Sequence, residues 1–271
     1  MEALSKHYPI WFCDIWGVVH NGVKPFATAV TALKNHRANG GTVIFITNAP
    51  NTAPSVAQHL LQLGVDQRTH DGLVTSGDVT RELIIQHGGD KTYFIGTSRD
   101  HSIFKDLKIS RVALRDAQSV VCTGLFNELT ETAADYEISL QQMKQNNLTM
   151  ICANPDKVVQ KGNRLIPCAG ALAEVYQNMG GQVLMAGKPF PSIYNMAISQ
   201  AEEKLGHKVS KSQILCIGDG PQTDVKGAAN LGVPCVFITD GINASDNIVE
   251  ETKKAVPNAH IIAHMPELDW H

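Results

Sequence analysis

Short, continuously apolar runs that stop at a polar or glycine-rich turn recur along this chain. Residues 10–13 stop at Asp14, 43–46 at Thr47-Asn48, 183–186 at Gly187-Lys188-Pro189, and 214–217 at Gly218-Asp219. Four-residue runs without alternation fit strands buried on both faces, as in parallel sheets covered by helices. Between and beyond them lie stretches of helical length, about 25–39, 53–63, 78–87, 132–147, 191–205 and 223–231. Pro25 suits the start of the first and Gly40-Gly41 its stop. Further strands are predicted at 73–74, 92–95, 119–122, 148–152 and 236–238. The alternation predicts an α/β fold built on a Rossmann-like, doubly wound parallel sheet. Gly88-Gly89 and Gly180-Gly181 bracket a second set of elements. The expected organisation is therefore a discontinuous core, residues 1–80 and 182–271, with an inserted α/β domain over 81–181.

Open sheets of this kind bind ligands beyond the carboxyl ends of their strands. What the apolar runs deliver there is an acid, Asp14; a hydroxyl, Thr47; an amine, Lys188; and the loop GDGPQTDV with Asp219 and Asp224. Carboxylates gathered at one site repel, and a hard cation such as Mg²⁺, taken through oxygen, offsets that repulsion. Thr and Lys supply hydrogen-bond donors and positive charge for phosphate oxygens. Together the set describes phosphoryl chemistry. Gly17 and Gly218 fit places where backbone approaches a ligand closely.

Composition narrows the partners. The 271 residues are 43% hydrophobic, enough for one large core or two moderate ones, and the net charge is −3 with no Lys/Arg-rich run. That excludes the electrostatic footprint of a nucleic-acid or anionic-membrane binder and favours a small-molecule partner. No apolar stretch reaches the length of a membrane span, and the opening MEALSKHYPIWF has too short an apolar segment for a secretory signal. The expectation is a cytoplasmic protein. Six cysteines without a CxxC read as reduced core residues, and eleven histidines without HxH or HExxH give no histidine metal site.

The segments GVV after Asp14, FITN with Thr47, AGKP with Lys188 and GDGPQTDV resemble the four ordered motifs of the haloacid dehalogenase (HAD) superfamily. LVTSGDVT and ANPDKVVQKGNRLIPCAGALAEVY, with the long insertion between the second and third motifs, are similar to the class IIA branch of NagD-like sugar and nucleotide phosphatases. The resemblance covers nearly the whole chain. It implies a Mg²⁺-dependent phosphatase acting on a small phosphorylated metabolite, a sugar phosphate or nucleotide, with a homodimer as the candidate assembly. By that resemblance Asp14 is the nucleophile that forms an aspartyl phosphate, Thr47 and Lys188 are catalytic residues that hold the phosphoryl group, and Asn48 binds substrate. Asp14, Asp219, Asp224 and the backbone carbonyl of Trp16 hold the metal. Asn154 and Asp156, in the insert, bind substrate. The chain departs from the family at one position: family phosphatases carry a second Asp two residues after the nucleophile, where this chain has Trp16. An indole neither donates a proton to a leaving oxygen nor activates water. His20, six residues after Asp14, is the candidate substitute acid.

Plainer readings stand beside these. Asn154-Pro155-Asp156 is also a turn, Thr223-Asp224 also a helix start, and His20 also a turn histidine. The competing function is a non-catalytic phospholigand-binding protein of the same fold. A receiver-type domain uses Asp, Thr and Lys around Mg²⁺ but needs no inserted domain, and GDGPQTDVKG lacks dinucleotide-fingerprint spacing.

Overall fold

A computed structural model describes residues 1–161, 164–241 and 247–271. In chain order the strands are β1 (Ile10–Cys13), β2 (Thr42–Thr47), β3 (Gly72–Thr75), β4 (Lys91–Ile95), β5 (Ser110–Arg111), β6 (Ser119–Cys122) and β7 (Thr149–Cys152). They continue with β8 (Val158–Lys161), β9 (Arg164–Pro167), β10 (Val183–Met185), β11 (Ile214–Gly218), β12 (Cys235–Ile238) and β13 (Ile261–Met265). One sheet has the order β13-β12-β11-β1-β2-β3, a second β10-β7-β6-β4-β5, and β8 and β9 form an antiparallel ribbon.

In the first sheet β1 pairs in parallel with both β2 and β11, and every residue of β1, β2, β11 and β12 is buried. That explains the unbroken apolar runs: a strand covered on both faces has no solvent side on which to place polar residues. The chain winds from β1 toward β3 on one side and returns at β11 to wind toward β13 on the other. The reversal lies between β1 and β11, and a crevice opens at the carboxyl ends of two strands whose connections diverge.

The chain forms two compact units. The first comprises Met1–Thr47, Pro54–Val74 and Lys188–His271, the second Asn48–Ala53 and Thr75–Gly187. In the second unit, β6 and β7 alternate between two apolar clusters. Val120, Cys122, Met150 and Cys152 pack with Leu140, Leu172 and Tyr176, while Val121 and Ile151 pack with Ile84 and Ile103. This unit thus has its own doubly covered parallel sheet.

Two sequence expectations are corrected here. The run at 183–186 does not return the chain to the first sheet, because β10 pairs in parallel with β7 and closes the edge of the second sheet. The helix Ser76–His87 likewise packs in the second unit, through Ile84. The insertion therefore runs from Thr75 to Gly187 and takes Asn48–Ala53 with it, rather than spanning 81–181. A three-residue apolar strand looks the same in sequence whichever sheet it joins. Here it is an edge strand, half-buried at each residue, unlike the fully buried strands around β1.

All six cysteines are free and buried. Among the described residues no helix is long and apolar enough to cross a membrane.

The first unit also buries a histidine. His36 stacks on Trp11 with ring centroids 3.7 Å apart, its Nε2 facing the Pro9 carbonyl at 3.2 Å and its Nδ1 the Ser5 hydroxyl at 2.7 Å. A carbonyl only accepts, so Nε2 carries the proton and Nδ1 accepts from Ser5. Burial lowers the His36 pKa from 6.5 to about 4. The folded state prefers the neutral ring, so this contribution to stability is fully present above pH 6.5 and is lost as pH falls from 6.5 to about 4. The loss should be roughly 3 kcal/mol at 1.36 kcal/mol per pKa unit. Urea unfolding at pH 7.5 and pH 4.5 measures it, and a His36→Gln variant should lose distinctly less stability over the same interval.

Candidate active site

The crevice between β1 and β11 collects the acids. Asp14 follows β1 directly, and its backbone N–H donates to the Ile217 carbonyl of β11 at 2.8 Å, which pins it at the strand reversal. Asp219 follows β11. Asp224 lies in a single π-helical turn, Pro221–Val225, that leads into the helix Lys226–Leu231. Such a turn widens the backbone and recurs at functional sites. Each of the three acids offers a carboxylate oxygen within 4.8 Å of the others, and all three are buried.

Lys188 is the counter-charge. Its Nζ donates to Asp14 Oδ1 at 2.5 Å and to Asp224 Oδ1 at 2.7 Å, with the side chain only 4% exposed. Burial by itself would lower the lysine pKa, but Asp14 and Asp224 outweigh it and raise the pKa above its ordinary value. For Asp224, burial and the charge of Asp14 push the carboxyl up to about 6 against the pull of Lys188. Its other oxygen, Oδ2, accepts from the Gly220 N–H at 3.1 Å and the Thr223 hydroxyl at 3.2 Å.

Glycines make the room. A Cβ on Gly17, which holds φ +85°, would lie 2.2 Å from Asp219 Oδ2, and one on Gly241 would lie 2.1 Å from the same oxygen. Hard oxygen donors converging within this spacing, in a cradle that side chains would fill, fit a divalent cation of the Mg²⁺ or Ca²⁺ kind. Thr47, buried, ends β2 beside β1.

Trp16 is half-buried, and the Cβ of a residue replacing Gly22 would lie 3.4 Å from its Nε1. His20 is buried, with Nδ1 accepting from the Gly22 N–H at 2.9 Å and its ring edge-on to His59. Burial first, then His59, lower the His20 pKa to about 4, so at neutral pH it is an uncharged ring that braces the 20–25 turn.

The remaining candidates lie in the second unit. Asn48 Nδ2 donates to Asp156 Oδ1 at 3.1 Å, and Asn154 Oδ1 accepts from the Asp156 N–H at 3.0 Å. Sequence reasoning missed Ser76, whose fully buried hydroxyl lies within 2.9 Å of the carbonyls of Asn48, Ala49 and Ala153. It holds the segment after β2 to the segment after β7. The signal was the SG pair in LVTSGDVT: a Cβ on Gly77 would meet the Asn51 carbonyl oxygen at 2.4 Å.

A doubly wound sheet with acids and an amine at its strand reversal, interrupted by a second α/β unit, defines a HAD-type hydrolase architecture. Residues 11–110 match the family model described as haloacid dehalogenase-like hydrolase, and 185–268 match a second, HAD-hydrolase-like model. A solved hydrolase of the haloacid dehalogenase-like family from Brucella suis is 46% identical, with 90% of this chain and 93% of that one covered and a TM-score of 0.86. An acid sugar phosphatase from Staphylococcus epidermidis is 26% identical over 250 residues, 90% of this chain and 91% of its own. The fold is also that of a glycerol phosphate phosphatase from Mycobacterium tuberculosis in complex with magnesium, at 23% identity and TM-score 0.74, covering 99% of this chain and 78% of that one. The chain belongs to the haloacid dehalogenase-like hydrolase family, in its class IIA branch.

Removing the ammonium should leave buried carboxylates unpaired. Lys188→Met is expected to cost about 3 kcal/mol of unfolding free energy in metal-free buffer, the usual penalty for breaking a buried ion pair. Adding Asp224→Asn should recover part of that loss. Equal urea midpoints for Lys188→Met and the wild type would refute the pairing as a stabilising element.

Proposed function

We propose that this chain is a phosphatase that uses Mg²⁺ and forms an aspartyl phosphate on Asp14, acting on a small phosphorylated metabolite. The observation that carries the reading is the convergence of Asp14, Asp219, Asp224 and Lys188 at the strand reversal. The names of the relatives, an acid sugar phosphatase and a glycerol phosphate phosphatase, support a phosphate monoester as substrate.

Asp14 is the nucleophile toward phosphorus, and Asp219 and Asp224, with the Trp16 carbonyl, complete the oxygen set that would hold the cation beside it. The cation, when bound, screens a phosphate dianion from the carboxylates. Lys188 orients the Asp14 carboxylate and faces the charge that builds on the phosphoryl oxygens, and Thr47 donates a hydrogen bond to them. The second unit, through Asn48, Asn154 and Asp156, sets which esters are accepted.

Hydrolysis of p-nitrophenyl phosphate in Mg²⁺ should vanish in EDTA, return on adding Mg²⁺, and fall by more than about 10³-fold in Asp14→Asn. Metal-free protein that hydrolyses the ester at the full rate would sink the metal assignment. A second reading, a phospholigand-binding protein without turnover, is favoured by Trp16, because an indole cannot serve as acid or base. Calorimetric binding of phosphate esters without product release would select it.

Asn154→Ala and Asp156→Ala should reorder preference across a panel of phosphate esters while Mg²⁺ affinity stays within about threefold of the wild type. Parallel loss of Mg²⁺ affinity in both variants would instead place these residues in metal binding.

A further inference from the structure

Of the three tryptophans, two are structural. Trp11 is fully buried on His36, and Trp270, 8% exposed, tilts against Trp11 at 6.5 Å. Trp16 is only partly buried and lies in the turn that follows β1. Asp14 lies two residues before it, and Gly17 follows it with its Cα against the Asp219 carboxylate. Ile15, between the acid and the indole, is 1% exposed and takes the core side of this turn. The 20–25 turn, held by bridges from His20 to Trp16 and to Pro25, places Gly22 beside the indole Nε1.

A large flat ring two residues along the chain from a nucleophile has two chemical properties that matter. It offers a face to a planar group, and it has one N–H donor, no acceptor and no proton that leaves in the ordinary pH range. We infer that Trp16 is the leaving-group platform of this site: its indole stacks on a planar leaving group and supplies no proton. The chain therefore favours aryl, enol or acyl phosphates, whose leaving oxygen departs as a stable anion. This deepens the phosphatase reading and rests on it.

The steps balance without an acid. An Asp14 carboxylate oxygen attacks phosphorus, the bond from phosphorus to the leaving oxygen breaks, and its electron pair leaves on an aryloxide, enolate or carboxylate. Water then attacks the aspartyl phosphate. The bond from phosphorus to the Asp14 oxygen breaks, its electron pair restores the carboxylate, and the water's protons leave on dihydrogen phosphate. An alkyl ester would have to expel an alkoxide, for which a proton is needed. Without a base to activate water the second step is slow, and the phosphoenzyme accumulates as a burst of first product.

The test compares p-nitrophenyl phosphate with glycerol 3-phosphate in the wild type and in Trp16→Asp, Trp16→Phe and Trp16→Ala. The wild type should prefer the aryl ester and release a burst approaching one p-nitrophenolate per chain. Trp16→Asp should raise glycerol phosphate turnover by about 10²-fold, and by more than it raises aryl turnover. In an Asp14→Asn background, phenyl phosphate should change tryptophan emission, and calorimetry should show Trp16→Ala weakening it about fivefold while Trp16→Phe retains it. Glycerol phosphate affinity should not follow that pattern. A wild type that handles both esters equally, ignores Trp16→Asp and is disabled by His20→Ala would overturn the inference and assign the acid to His20. Equal weakening of both ligands in Trp16→Ala would also overturn it. If no variant gives a burst or turnover yet phenyl phosphate binding still depends on the ring at position 16, the platform stands and the phosphatase reading falls.

Discussion

Like charges that must share a buried space organise this molecule. Asp14 and Asp224 are each at most 7% exposed and are bridged by one ammonium, with Asp219 close by. Two such charges at contact distance interact by about 4 kcal/mol at an effective dielectric of 20. The arrangement persists only if attraction to Lys188 offsets both that repulsion and the loss of water. Much local structure serves this requirement. Gly17, Gly218 and Gly241 leave out the side chains that would collide with the Asp219 and Asp224 carboxyls, and the π turn lets the Gly220 N–H reach Asp224.

How the chain advertises this in its sequence follows from burial. Strands covered on both faces leave unbroken apolar runs, so β1, β2 and β11 were legible, and so were the polar residues at their ends. The helices at 53–63 and 191–205 were legible from the length of the stretches between the apolar runs. The sheet assignment of β10 was not, because partner choice depends on contacts with β7 that no local pattern encodes. Ser76 was hidden for the same reason: its hydroxyl meets carbonyls from segments far apart in sequence, and a serine at a helix start looks ordinary. The ribbon of β8 and β9 and the strand β13 also escaped, being short or only partly buried.

The second unit repeats the winding logic of the first. Its chain leaves β4 for β5 at one edge and then returns to β6 on the other side of β4, so its reversal lies between β4 and β6. There Asp100 accepts from the hydroxyls of Thr97 at 3.2 Å and Thr123 at 2.8 Å, and Gly96 makes room for the latter. Burial raises the Asp100 pKa. At this reversal the acid is taken up by neighbouring hydroxyls and ties two loops together. In the first unit the acids face one another across a lysine. The same topology thus yields a brace in one place and a cluster of buried acids around an ammonium in the other.

The central position of β1 also has a cost during synthesis. Ile10 pairs with Thr42 on one side and with Ile214 on the other. A ribosome adding roughly 5–20 residues per second finishes β2 early but leaves the other edge of β1 bare for on the order of 10–40 s. That edge carries Ile10, Trp11, Phe12 and Cys13, an uncharged apolar row of the kind that recruits foreign strands. The nearly contiguous second unit can close on its own contacts during this interval, which shortens the loop that β11 must finally bridge. The nascent chain is therefore most vulnerable to aggregation midway through translation, and slowing the ribosome between β3 and β11 would lengthen that exposure.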